Sequence, residues 1–466
     1  MNTTAEKSSI EPTRIQVLNN RDIRKGKYVL YWMQQSQRAE ENHALEYAAE
    51  LANHLQLPVV VGFGLTDDYP DANLRHYTFM LEGLRETAAT LQERGIRFVL
   101  RRGRPAEVAL ALGRKAAIIV CDRGYLRHQL QWRRKVAAEA VCRVVQVESD
   151  VVVPLEVVSD KNEYAARTIR PRIQRHLKNY LKSFHGIKLQ RDSLDFGITG
   201  LDPSDVEGVL TDMRIDRRVG PVSRFFYGGT SQAKTRFDEF IQQRLKHYDN
   251  HSNQPQTDDV SHMSPYLHFG QISPLFLALR VQNTDGRKVG KANIESYLEE
   301  LIVRRELAAN FVYYTPGYDD YGCIPGWARQ TLEDHAGDRR EHRYSVAELT
   351  SANTHDSYWN AAMQEMLHTG FMHNYMRMYW GKKILQWSRT PQEAFGTTLM
   401  LNNRFFVDGR DPNSYTGVAW IYGVHDRAWK EREIFGKVRY MAASGLERKC
   451  DIDGYVKKVE ARIRSG

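Results

Sequence analysis

Four short stretches of the sequence hold residue types that could do chemistry together. In the first, Ser261-His262-Met263-Ser264-Pro265-Tyr266-Leu267-His268-Phe269-Gly270-Gln271-Ile272-Ser273, hydroxyl residues surround a Pro and a second Ser-Pro pair follows. A Ser at a helix N-cap with Pro after it leaves backbone N–H groups free, which suits a phosphate. Two ordinary capped helix starts would use the same residues. The second stretch places Glu300 and Arg304 four apart, on one helical face, with Arg305 and Glu306 next. Leu298, Leu301 and Ile302 flank Glu300, so a partly buried carboxylate beside an arginine is expected, a candidate acid or hydrogen-bond partner. A solvated charged face is the alternative. The third joins Gly370–Trp380 to Asn402–Asn413, where Arg377 and Asp408 could form a buried pair with Arg as a planar fork. The fourth, Val424–Tyr440, interleaves His425, Arg427, Lys430, Arg432, Lys437 and Arg439 with Trp429, Phe435 and Tyr440. Cations neutralise phosphates and aromatics wedge into opened duplexes, so this segment is expected to bind DNA, against an ordinary charged helical surface.

The elements that must position these residues follow from the pattern of the chain. With 466 residues, length alone suggests two to four domains at roughly 150 residues each. A hydrophobic fraction of 42% with 26% charged residues excludes global disorder. No run of about 18 apolar residues occurs, so no membrane span is expected, and the polar start Met1–Arg14 predicts no secretory leader. Cys121, Cys142, Cys323 and Cys450 are scattered without CxxC, which argues against a disulfide framework or a cysteine zinc site and for a reducing compartment. The net charge of +9 points to a polyanion only where it is clustered.

Residues 1–20 read as a disordered arm. Strand-length apolar runs at Tyr28–Met33, Pro58–Leu65, Ile96–Leu100, Ala117–Cys121 and Arg143–Val147 alternate with helical stretches Glu40–Leu55, Leu74–Arg94, Pro105–Lys115 and Leu126–Ala140. The alternation predicts a Rossmann-like α/β domain, a parallel sheet covered on both faces, over residues 21–158. Its GxG at Gly62-Phe63-Gly64 lacks the third glycine and reads as a strand-end turn, and no phosphate loop is present. Residues 159–222 read as an interdomain linker with one basic helix, Arg170–Phe184. Residues 223–466 are dominated by helical spacing, as in Ile294, Tyr297, Leu298, Leu301, Ile302, Ala308 and Phe311.

The strings SPYLHFGQIS, EELIVRREL, GFMHNYMRM and FVDGRDPNSYTGVAW resemble the photolyase/cryptochrome family, in matching order along nearly the whole chain. VRREL, DGRDPN and HDRAWKEREIFGKVRYM are similar to the class II cyclobutane pyrimidine dimer photolyases in particular. The resemblance implies a larger all-α FAD-binding domain after the α/β domain. It implies light-driven repair of pyrimidine dimers in UV-damaged DNA, by electron transfer from excited FADH⁻ to a flipped-out dimer. Tyr248, Ser261, Met263 and Ser264 would hold the phosphates and ribityl chain, and Arg304 would lie beside the flavin. Arg377 with Asp408 would flank the isoalloxazine and Asn402 would face N5, where an amide can donate or accept. Glu300 would hydrogen-bond the dimer bases, Trp420 would stack on the dimer, and Asn374 and Met378 would line its pocket. Trp429 and Arg439 would fill the bubble left in the duplex.

The chain departs from the class I pattern. Val303 stands where that pattern has a second dimer-stacking Trp, and Val418 where it has the flavin-proximal relay Trp. The class II relay maps onto Trp380, Trp359 and Trp387, with a Trp-rich core as the alternative. A cryptochrome-like blue-light receptor without repair activity is the nearest rival; retained Glu300 and Trp420, and only 26 residues after Tyr440, count against it. A (6-4) photoproduct enzyme would carry two histidines where Asn374 and Met378 stand. The family further implies an antenna pigment in the α/β domain, 8-hydroxy-5-deazaflavin or methenyltetrahydrofolate. No metal and no membrane partner is expected, and a monomer is, in the cytoplasm of a prokaryote or the nucleus of a eukaryote.

Overall fold

The structure, a computed structural model, describes residues 9–465. Six strands form one sheet in the order β1-β6-β5-β2-β3-β4. Strands β2 (Tyr28–Trp32), β3 (Val59–Leu65), β4 (Arg97–Arg102), β5 (Ala116–Asp122) and β6 (Arg143–Val147) run parallel. Every residue of β2, β3 and β5 is buried, as strands covered on both faces must be. Helices α1 (His43–Leu55), α2 (Leu74–Glu93), α3 (Pro105–Gly113) and α4 (Arg127–Glu139) make the crossovers. The chain builds outward from β2 in both directions, β3 and β4 on one side and β5 and β6 on the other. Such a switch point opens a crevice at the carboxyl ends of the strands.

The expected disordered arm, residues 1–20, is corrected where it can be followed. Residues 1–8 lie outside the described residues. Beyond them, β1 (Ile15–Val17) adds to the sheet antiparallel to β6, with Ile15 opposite Val147. The buried Arg14 guanidinium secures it by donating to the carbonyls of Glu148, Val151 and Val152. Three residues carry too little periodicity to announce a strand; the partner edge supplies it.

Residues after 158 carry more structure than a plain connection. A helix spans Ala166–Tyr180, four residues upstream of the expected start. Further on, Leu201 bonds to the Leu100 carbonyl at 2.7 Å, and Ser193 accepts from the Arg97 N–H at 2.7 Å, so this segment covers the outer edge of β4. From there on, helices dominate. The long rod Lys291–Leu298, Arg305–Tyr314 is interrupted by a π-turn over Glu299–Arg304. Helix Pro412–Ile421 packs on Arg305–Tyr314, and Ser357–Thr369, Asn374–Trp387 and Pro391–Phe405 join it in the second apolar core. No helix among the described residues is long and apolar enough to cross a membrane.

The α/β layer grips the helical layer directly. At the start of α2, Asn73 donates to the Arg404 carbonyl at 2.7 Å. Arg75 donates to the carbonyls of Gly220, Met366, Leu367 and Phe405. His76 meets the Phe406 carbonyl at 2.9 Å. A guanidinium with five donors satisfies the orphan carbonyls at two helix ends at once. Those ends belong to Ser357–Thr369 and Pro391–Phe405, so this clamp fixes where the loop 406–411 begins.

Candidate active site and DNA interface

Arg377 and Asp408 meet as the sequence suggests. Arg377 Nη2 reaches both Asp408 oxygens at 3.1 and 3.0 Å, its Nε donates to the Met372 carbonyl at 3.0 Å, and its guanidinium lies 4.0 Å from the Phe406 ring centroid. Asn402 is buried in the last turn of Pro391–Phe405. Its Nδ2 donates to Ser414 Oγ at 2.7 Å and to Asn403 Oδ1 at 3.0 Å, which leaves Oδ1 without a hydrogen bond among the described residues. The turn from Asn402 back to Asp408 is tight. A Cβ on Gly409 would stand 2.8 Å from the Asn402 carbonyl oxygen and 3.0 Å from Asn403 Cα. Gly409→Ala is therefore expected to cost about 1–3 kcal/mol by overpacking. Thermal melting checks this: a Tm equal to the parent's would show that the turn relaxes freely.

The serine-rich stretch folds differently from the capping expectation. Helix Ser264–His268 is a single short turn whose N-cap is Met263, and no side chain caps it. Ser264 is its first helical residue and Pro265 its second. Ser273 does cap the next helix, Pro274–Gln282, accepting from the Phe276 N–H. A one-turn helix concentrates little dipole, so a phosphate site here would rest on hydroxyls and single N–H groups. Ser261 and Tyr248 are joined through Tyr297: the Tyr297 hydroxyl lies 3.3 Å from Ser261 Oγ, and its ring packs edge-on to Tyr248 at 5.3 Å. Met263 and Tyr248 are buried.

Glu300 sits in the π-turn, where each backbone bond closes one residue later than in an α-helix. The i,i+4 geometry is thus corrected in detail, though the pair survives: Arg304 Nε lies 3.8 Å from Glu300 and 3.4 Å from Glu299. Glu299 is the more firmly held carboxylate, with a two-point pair to Arg170 at 2.9 and 2.7 Å. Glu300 keeps about half its side-chain surface exposed. Yet surrounding protein raises its carboxyl above the ordinary value by desolvation; Arg304 opposes that and Glu299 adds to it. A shift in this direction favours the protonated form, the one able to donate. The Arg304 guanidinium stands 5.7 Å from the ring centroid of the half-buried Trp420. Asn374, exposed, and Met378, half-buried, lie one turn apart on Asn374–Trp387; neither side chain hydrogen-bonds to Glu300 or Trp420.

The three mapped indoles do come together. Trp380 and Trp387 share the helix Asn374–Trp387. Trp359, from Ser357–Thr369, donates its Nε1 to the Trp380 carbonyl at 3.0 Å and packs edge-on to Trp387 at 5.5 Å. Trp380 faces Phe406 at 6.2 Å, the same ring that carries Arg377. At the other end Trp387 meets Tyr344 at 5.1 Å and His355 at 5.5 Å beside an open cleft lined by Arg339, His342 and Lys383. The indoles thus run from the Arg377 wall to the surface.

The segment 424–440 is irregular chain, not the helical surface held open as the alternative. Trp429 is 41% exposed, with Arg439 at 5.2 Å and Arg427 at 5.4 Å from its ring centroid. Its backbone N–H bonds to the Lys437 carbonyl at 2.8 Å, which ties the two ends of the segment together.

Two features escaped the sequence. Arg410 is fully buried with φ +68° and donates to the Asn403 carbonyl, while its Nε has no partner among the described residues. It closes a cleft of about 650 Å³, mouth included, at the sheet's switch point, with Gln34, Tyr69, His76, Gln129 and His268 among its walls. The strand order would have located this crevice, had it been legible in sequence. Lys382, also buried, donates to the Ile421 carbonyl at the end of the helix that carries Trp420. Burial pulls its ammonium down to about 7.

Comparison with known proteins supplies the context. The family model described as DNA photolyase matches residues 29–189. A deoxyribodipyrimidine photo-lyase of Methanothermobacter thermautotrophicus is 51% identical over 453 residues, covering 97% of this chain and 98% of that protein. Among solved structures, a class III photolyase from Agrobacterium tumefaciens superposes with a TM-score of 0.73 at 18% identity, over 94% of this chain and 87% of that one. An archaeal photolyase from Sulfolobus tokodaii, solved with two FAD molecules, superposes with a TM-score of 0.69 at 15% identity, over 92% and 89%. With a full-length relative at half identity and the same α/β-then-helical architecture, the chain belongs to the photolyase/cryptochrome family.

Proposed function

We propose that the protein repairs cyclobutane pyrimidine dimers in DNA with blue light, as a class II deoxyribodipyrimidine photo-lyase with FAD as its resident cofactor. The observation that carries this reading is one wall: the Arg377–Asp408 pair, the held Asn402 amide with a spare oxygen, and a path of three indoles ending on the same Phe406 ring. The residues fit a flavin. Trp380 Nε1 is buried without a partner, Asn402 Oδ1 is unspent, and Gly409 keeps Cβ atoms out of the turn beside them. FAD, when bound and reduced, supplies one electron to the dimer on absorbing light and recovers it afterwards.

The chain's own residues do the rest. Arg377, held by Asp408 and the Met372 carbonyl, offers a fixed guanidinium as hydrogen-bond donor to a ligand on the Asn402 wall. Glu300, its carboxyl raised by desolvation, donates a proton-bearing hydrogen bond to the base that gains negative charge. Trp420 offers a ring face to a base taken out of the stack, and Lys382 anchors the end of its helix. Tyr248, Ser261, Met263 and Ser264 line the route for the ribityl chain and phosphates. Trp380, Trp359 and Trp387 pass electrons inward from the surface. The cleft closed by Arg410 suits a planar antenna pigment, a deazaflavin or a folate.

The test is direct. Flavin-loaded, reduced protein is illuminated with an oligonucleotide holding one thymine dimer, with a dark control and a (6-4) substrate. Light-dependent dimer loss is expected; its absence in reduced holoprotein overturns the proposal. Within this reading, Trp429 and Arg439 fill the duplex bubble. Arg439→Ala should then weaken binding to a dimer in duplex more than to the same dimer in single strands, where no bubble forms. Equal losses on both would remove the bubble-filling role.

A further inference from the structure

Residues 164–191 contain eight Lys and Arg and no acidic residue, where the chain's average composition would place about three. Most of this run is the helix Ala166–Tyr180. Its Ala166, Ile169, Ile173 and Tyr180 are buried, which turns Arg167, Arg175 and Lys178 outward on one face, with Lys182 beyond its end. Two of the cations are paired with carboxylates of the protein itself, Arg170 with Glu299 and Arg172 with Glu163. Arg167, Arg175, Lys178 and Lys182 have no side-chain hydrogen bond or ion pair among the described residues and are exposed.

The placement of this face is as telling as its charge. Just before the helix, Tyr164 donates its hydroxyl to the Asp426 carbonyl at 2.9 Å, and its own carbonyl meets His425 Nδ1 at 2.7 Å. Asp426 in turn accepts from Trp429 Nε1 at 3.3 Å. Tyr164, 47% exposed, and Trp429 therefore stand on one rim, both tied to Asp426. One turn into the helix, Arg170 grips Glu299, the neighbour of Glu300. The basic face thus starts at the rim of the site and leads away from it.

We propose that this helix is a second arm of the DNA interface, holding backbone phosphates of intact duplex on one side of the lesion. The inference rests on the DNA-repair reading above. From Arg167 to Lys178 the helix runs about 16 Å, the length of about five base steps of one strand. Its phosphate bonds would position the duplex and carry no sequence information.

The test is the triple variant Arg167→Gln, Arg175→Gln, Lys178→Gln, titrated as holoprotein with duplexes containing one dimer. With long flanks, the slope of log affinity against log salt should shrink by about 0.9 for each phosphate that the variant no longer neutralises, about two to three in all. Shortening one flank to about two base pairs should abolish the difference between variant and parent, and shortening the other should not. Equal affinity and slope on long duplexes overturn the proposal. So does a weakening that persists on both shortened duplexes, which would mark a diffuse field. The flavin spectrum and Tm check the variant's fold, and Arg167→Lys, Arg175→Lys should keep the parental slope if phosphate charge is what counts. If the parent itself binds no dimer-containing duplex, the repair reading has failed, not this arm alone.

Discussion

Replacing Trp380 with Phe is expected to abolish photoreduction of the bound flavin, while enzyme reduced beforehand should still repair dimers. The indole ring is far easier to oxidise than a benzene ring, so the substitution would remove the proposed step between the Asn402 wall and Trp359 while leaving an aromatic body in place. The structure makes this a clean experiment. Trp380 Nε1 has no hydrogen-bond partner among the described residues, so nothing is orphaned by its removal. The bond from Trp359 goes to the backbone carbonyl of residue 380, which Phe retains. In the proposed repair cycle the electron returns to its source, so repair would not need the relay. Flavin absorbance during illumination with an external reductant is the measurement. Parental kinetics would take Trp380 out of the relay. Loss of both photoreduction and repair would point to damage of the site.

Glu300→Ala is expected to weaken dimer binding and to lower the repair yield, with the flavin spectrum unchanged. A hydrogen bond to a group that gains charge is worth about 1.5–3 kcal/mol, which is about one to two orders of magnitude in affinity. Repair per photon should fall by less, since ring splitting competes only with return of the electron. Glu300→Gln should be milder, because an amide still donates. The two variants also differ in pH response. Desolvation raises the carboxyl, so the protonated, donating form reaches to higher pH than in a free carboxyl and is lost as pH rises through the raised value. Parental activity should decline along that rise, and the Gln variant should not. A Glu300→Ala protein that binds and repairs like the parent would show that the carboxylate only balances Arg304.

The contrast between Glu299 and Glu300 shows what was readable in advance. Sequence spacing marked Glu300 and Arg304 as one face, and the pair is there at 3.8 Å. It did not show that Glu299 is spent on Arg170, because that pairing spans 129 positions and belongs to another helix. Nor did it show the π-turn, since a residue string of apolar and charged types is the same whether the backbone bonds skip three residues or four. In the α/β layer the parallel strands and their helices were legible because each buries a continuous apolar run. The exception was β1, whose three residues take their conformation from the edge of β6.

For this protein, then, local pattern determined the element types, the order of the two layers, and the charge and aromatic content of the segment 424–440. Those features depend on neighbours within a turn or two of the chain, where side-chain period and burial go together. Tertiary structure alone decided that the Asn73–His76 turn of α2 clamps the ends of two distant helices, that Trp359 stands between Trp380 and Trp387, and that Arg410 closes the cleft at the switch point. Each of these joins residues far apart in sequence, and such a junction exists only when buried polar groups find their partners across packed layers.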